Sequence, residues 1–176
     1  MTSFAEHKIL FTGTIGAGKT TAIGAISEIP PLRTDVQNHD PSVGKASTTV
    51  GLDYGEITLD GGEKLRLYGT PGQQRFDFMW KILGSGALGV VLLIDNSRPD
   101  PLGDLAVYLN GFADLIERTA CVIGVGRMES HPLPDIDRFA DALSVRGLAC
   151  PVFAVDVRDP QQVLQLLDLL LVQLES

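Results

Sequence analysis

The octapeptide "GTIGAGKT", Gly13–Thr20, carries residue types and spacings suited to holding phosphate. It fits G-x-x-x-x-G-K-[ST] at every fixed position. Glycine at 13, 16 and 18 lets the main chain approach phosphate oxygens closely, Lys19 has the reach for the β- and γ-phosphates, and Thr20 offers a hydroxyl to Mg²⁺. The apolar "HKILF" before the loop and the helical pattern after it set the loop at a helix N-terminus, where backbone N–H groups favour an anion. Ala17 and Thr21 belong to the same expected nucleotide-binding set. A phosphate loop alone leaves kinase, ATPase and GTPase open, so the later elements have to choose.

The chain that must position this loop has 176 residues, 44% of them apolar, with 19 glycines, which suits one α/β domain over residues 1–176. A formal charge of −8 would repel a phosphate backbone, so nucleic acid is excluded as an expected partner. Cys121 and Cys150 each sit at the edge of an apolar run and read as small buried hydrophobes rather than a disulfide. His7, His39 and His131 show no metal spacing. The N-terminal residues lack the order of a signal peptide, neither end carries a lipidation signal, and the C-terminal "VLQLLDLLLVQL" is too short and too interrupted to span a bilayer. The expectation is a cytoplasmic protein with no direct membrane anchor.

Short β-rich runs alternate with helical patterns throughout, the signature of a sheet covered on both faces. "HKILFTG" reads as a strand and Lys19 to Ile29 as a helix stopped by Pro30 and Pro31, followed by a polar, helix-poor segment from Leu32 to Thr48. "TVGLDYGEITLD" and "EKLRLYG" form a hairpin about Asp60, Gly61 and Gly62. Helices are expected over Gln73 to Gly84, Leu102 to Arg118, Ile136 to Arg146 and Gln161 to Glu175, with strands at "LGVVLLID", "ACVIGVG" and "PVFAVD". The expected fold is a three-layer α-β-α arrangement with a six-stranded, mostly parallel sheet, one antiparallel hairpin strand and about five helices. Ligand chemistry then falls at the carboxyl ends of the strands.

The early hairpin and the motifs after it resemble the Ras-like small GTPases. "TTVGLDYGEI" is similar to their switch I, which implies that the Thr49 hydroxyl completes the Mg²⁺ shell, with Thr48 as the alternative one position earlier. "LYGTPGQQRF" resembles W-D-T-A-G-Q-E-R-F of switch II at Thr70, Gly72, Gln73, Arg75 and Phe76. By that likeness the Gly72 amide meets the γ-phosphate, and the catalytic residues are Gln73, which orients the attacking water, and Lys19, which reaches the phosphates. The aspartate of this motif is replaced by Gly69, and the T-P-G-Q form is similar to bacterial Ras-like GTPases of the cell-polarity type and their relatives encoded beside roadblock-domain proteins. The resemblance implies a small G-protein fold that binds GTP or GDP with Mg²⁺ and hydrolyses slowly, unaided sites running at about 10⁻⁴ to 10⁻³ per second.

Two departures bear on that expectation. Ile15 replaces a glycine beside the γ-phosphate and would crowd an inserted arginine finger, leaving Lys45 or Arg75 as candidate cations in cis. The base-reading N-K-x-D becomes Gly126, Arg127, Met128 and Glu129, where Glu129 is expected to accept from guanine and Arg127 to lie over the base. The S-A-K position corresponds to Asp156, Val157 and Arg158, with the Val157 amide set to meet the base. In the stretch "QQRFDFMWKIL", Phe76, Met79, Trp80 and Leu83 make one apolar stripe, read either as core or as a nucleotide-dependent interface anchored by Trp80, with a roadblock-domain partner implied by the resemblance. The competing reading is an ATP-binding or nucleotide-insensitive module that inherited the GTPase fold.

Overall fold

The computed structural model describes residues 6–30, 32–38, 48–71 and 78–175. The elements run β1 (Glu6–Gly13), α1 (Lys19–Ile26), β2 (Leu32–Asn38), β3 (Thr48–Thr58), β4 (Lys64–Gly69), α2 (Phe78–Gly84), β5 (Ala87–Asp95), α3 (Pro101–Gly111), α4 (Ala113–Arg118), β6 (Ala120–Gly126), α5 (Ile136–Val145), β7 (Val152–Ala154) and α6 (Pro160–Glu175). They build one sheet in the order β2-β3-β4-β1-β5-β6-β7.

β1, β4, β5, β6 and β7 pair in parallel, whereas β3 is antiparallel to both of its neighbours. Only β3 therefore reverses direction, which is the expected single antiparallel strand. β5 and β6 are interior strands, flanked on both sides and buried almost end to end, so their sequences read as continuous apolar runs. β4 alternates, with Leu65 and Leu67 buried between more exposed neighbours.

α1 and α6 cover one face, packing Ala22, Ile23, Leu166 and Leu170 on Ile9, Phe11, Leu65 and Leu67. The other face carries α2 to α5, with Trp80, Leu105, Leu115, Phe139 and Leu143 against Leu10, Leu92 and Ile123. This is the expected three-layer arrangement. Cys121 and Cys150 are both free thiols, Cys121 within the core. A hydrogen bond to Cys150, then burial, pushes the Cys121 thiol up.

The structure departs from the sequence reading in four places. Residues 32–38, expected as a helix-poor connection, form β2 and pair with β3 from Leu32 opposite Tyr54 to Asn38 opposite Thr48, which gives the sheet a seventh strand. Polar residues such as Arg33, Asp35 and Gln37 suit an edge strand and hide its periodicity. α1 stops at Ile26 rather than Ile29, because Ser27 turns extended and its Oγ accepts from the backbone N–H groups of Ile29 and Glu56.

The single helix expected over Leu102 to Arg118 is two, α3 and α4, divided at Phe112. Trp80 lies over that division, stacked on Tyr108 and Phe112 with ring centroids 4.8 and 5.0 Å away. A Cβ added at Gly111 would stand 2.4 Å from the Trp80 ring, so the approach needs glycine there. Trp80 is only 2% exposed, which overturns its reading as a surface anchor. Its stripe partner Leu83 is buried too, while Ile82 on the other side of α2 is exposed. No helix among the described residues is long and apolar enough to cross a membrane.

Candidate nucleotide-binding site

β1 delivers the chain to the phosphate loop, and α1 begins at Lys19, immediately after it. Gly13 has φ +145°, and a Cβ there would lie 2.2 Å from the Leu93 carbonyl oxygen of β5, so only glycine lets the loop leave the sheet at this point. Lys19 is buried, and its Nζ donates to the carbonyls of Gly13 (2.6 Å) and Thr14 (2.8 Å), so the ammonium lies along the loop. Gly16 and Gly18 both take positive φ, and Ala17 is buried with its N–H donated to the Thr14 carbonyl. Thr21 follows in the first turn of α1. Ile15 is 57% exposed.

The acid missing at Gly69 stands across the hairpin. Asp53 of β3 is the register partner of Gly69, and its Oδ2 accepts from the Thr20 hydroxyl at 2.5 Å. A Cβ built at Gly69 would meet the Asp53 Cβ at 3.2 Å and Ile23 Cδ1 at 3.3 Å, so the aspartate fills space that a side chain at 69 would need. Sequence reading missed Asp53, although a signal existed. Counting back from the turn, with Thr58 opposite Lys64, puts Asp53 opposite Gly69. Thr20 and Asp53 supply hard oxygens of the kind Mg²⁺ prefers when phosphates and water complete its shell. Among the described residues there is no group of three or more His, Cys, Asp or Glu that could hold a metal ion.

Thr49 is held elsewhere. It pairs with Gln37 in the β2–β3 ladder, four residues along β3 from Asp53, or about 13 Å at strand rise. The structure therefore does not bring Thr49 beside Thr20, and Thr48 lies one residue further away. Gly72, Gln73, Arg75 and Phe76 lie outside the described residues, as does Lys45. The segment leading to them is anchored: the Thr70 N–H donates to the Phe11 carbonyl, and the buried hydroxyls of Thr70 and Thr12 lie 2.7 Å apart.

On the base side, Arg127 has φ +60°, unusual for a residue with a side chain, and its Nη1 donates to the Gly16 carbonyl at 3.0 Å and to Asp95 Oδ2 at 2.8 Å. One guanidinium thus joins the phosphate loop to the end of β5. Burial of Asp95 opposes its ionisation, but the Ser97 hydroxyl and amide, then Arg127, outweigh this and hold the carboxyl below the usual range. Glu129 is exposed on the same loop. Val157 packs on the phosphate loop, its Cγ2 2.7 Å from where a Cβ of Gly18 would stand. Beside it, Arg158 grips Asp156 through two hydrogen bonds and holds that carboxyl down to about 2.

Desolvation lowers the Lys19 pKa to about 8, against an opposing pull from Asp53. A triphosphate binds the charged ammonium and raises its pKa, so above pH 8 the free protein must take up a proton to bind. Nucleotide affinity is therefore expected to be steady from about pH 7 to 8 and to fall by up to about tenfold per unit above that. Calorimetric titrations across this range check it, and Lys19→Ala should remove the slope.

Strand, phosphate loop and helix, set at the carboxyl edge of a mostly parallel sheet, define a P-loop nucleotide-binding protein. Residues 35–111 match the family described as "Conserved hypothetical ATP binding protein". Ras-related protein Rab-18-B of Danio rerio is 32% identical over 106 residues, 58% of this chain and 46% of that protein. GTP-binding protein ypt4 of Schizosaccharomyces pombe is 28% identical over 127 residues (68% and 49%), and Ras-related protein Rab-8A of Gallus gallus is 26% identical over 159 residues (89% and 59%). The chain spans about half the length of the curated relatives it matches. These similarities support a place in the P-loop GTPase superfamily, with the Rab and Ypt proteins as distant relatives.

Proposed function

We propose that this protein is a Mg²⁺-dependent GTP-binding switch of the bacterial Ras-like kind, one that hydrolyses GTP slowly to GDP and changes partners with the nucleotide. The observation that carries the proposal is the Thr20 hydroxyl and Asp53 carboxylate, 2.5 Å apart, beside the buried Lys19 of the phosphate loop. Lys19 would turn from the loop carbonyls to the β- and γ-phosphates, while Thr20 and Asp53 hold the metal directly or through water. Mg²⁺, when bound, neutralises charge on the phosphates. Gln73 would orient water, Gly72 would meet the γ-phosphate, and Thr49 would be a further oxygen donor for the metal if the β2–β3 pairing around it were released. Pairing and release of that ladder would be the switch, offered to a roadblock-domain partner through the segments around Thr49 and Gln73.

The second reading, an ATP-binding or nucleotide-insensitive interaction module, draws on Gly126 in place of the base-reading asparagine and on the description of the matched family. Calorimetric titration of nucleotide-free protein with Mg-GTP and Mg-ATP separates the two. A clear preference for GTP supports the switch. Equal or adenine-favoured affinity supports the second reading, and no binding of either removes nucleotide from the function.

A further inference from the structure

The base-reading loop after β6 runs from Arg127 to Asp135 without regular structure, and most of its residues are exposed. Packing holds it at Met128, which lies against the core, and polar contacts fix the exposed remainder. In the motif it resembles, the first position offers a side-chain amide, and here that position is Gly126.

The amide comes instead from the end of the neighbouring strand. Asn96, 3% exposed, follows Asp95, the register partner of Gly126. Its backbone N–H donates to the Gly126 carbonyl at 3.1 Å, and its Nδ2 donates to the carbonyls of both His131 (2.6 Å) and Pro134 (3.1 Å). The loop is tied within itself by the His131 N–H on the Arg127 carbonyl, at 2.9 Å. Asn96 thus grips both the start and the far end of the loop, with Glu129 carried between. Asp95 adds the ion pair to Arg127 at the near end.

We infer that Asn96 is a positioning residue for base recognition, fixing the Arg127–Pro134 loop so that Glu129 and Arg127 meet the purine. This deepens the proposed function and rests on it. Buried in the protein, Asn96 acts through the loop and has no need to touch the nucleotide.

The test compares Mg-GTP with Mg-tripolyphosphate, which has no base, by displacement of ribose-labelled GTP from wild type, Asn96→Asp and Asn96→Ser. Aspartate keeps the size of asparagine but sets a carboxylate against two carbonyls, while serine retains one donor. The loss of buried hydrogen bonds predicts that Asn96→Asp weakens GTP by about tenfold or more and speeds its release, with a smaller loss for Asn96→Ser. Tripolyphosphate affinity should stay within about twofold of wild type. Equal losses for both probes, or none for GTP, would overturn the assignment. Should Asn96→Asp fail to fold, the serine variant alone decides by the same ratio. If wild type binds tripolyphosphate as tightly as GTP, the base-site reading itself falls, and the role of Asn96 falls with it.

Discussion

Asp53→Ala is expected to lower the affinity of the GTP-bound protein for Mg²⁺ by about ten- to a hundredfold, the usual cost of removing a group that orients a metal shell. Nucleotide binding in excess chelator should change little, because Lys19 and the loop amides remain. The same register makes a harder prediction. Gly69→Asp alone should do harm, since its Cβ would stand 3.2 Å from that of Asp53 and bring a second carboxylate to the same place. Asp53→Ala keeps the Cβ contact but removes the competing carboxylate 3.4 Å away, so Asp53→Ala/Gly69→Asp should recover part of the lost metal affinity. Mg²⁺ titrations of the three variants decide it. Unchanged metal affinity in Asp53→Ala would make the Thr20–Asp53 contact purely structural.

Lys19→Ala should weaken Mg-GTP by at least about a hundredfold, since several charge-assisted hydrogen bonds to phosphate disappear together. The folded protein should survive the change. Lys19 is a buried cation whose lowered pKa shows that the surroundings disfavour its charge, so its removal relieves a desolvation cost even as the Gly13 and Thr14 carbonyls lose a donor. The check pairs calorimetry with thermal unfolding. Lost binding at a melting temperature within a few degrees of wild type fits a ligand-facing lysine, whereas lost binding with a collapsed melting temperature fits a structural one.

What the sequence disclosed follows from how local each feature is. The phosphate loop was readable because its glycines, Lys19 and Thr20 are consecutive and their chemistry depends on spacing alone. The central strands were readable because burial on both faces leaves unbroken apolar runs. Asp53 was hidden because its partner Thr20 lies 33 residues away, and the carboxylate reaches it only once the hairpin register is set. β2 was hidden because an edge strand has no need of apolar alternation. Trp80 was ambiguous because a helical stripe looks the same whether the other side is core or a partner; the short approach at Gly111 settles it as core. Asn96 was invisible for a related reason, since its carbonyl partners lie 35 and 38 residues further along the chain.

Trp80, the only tryptophan in the chain, is buried between Tyr108 and Phe112, with no hydrogen-bond partner found for its Nε1 among the described residues. It stands on the first helix after the segment that carries Gly72 and Gln73. The molecule therefore has its own optical gauge. A dry, stacked indole gives an emission colour and intensity sensitive to any shift of its neighbours, and with no second indole to blur it, any shift of α2 against Tyr108 and Phe112 on ligand binding can be followed in unlabelled protein.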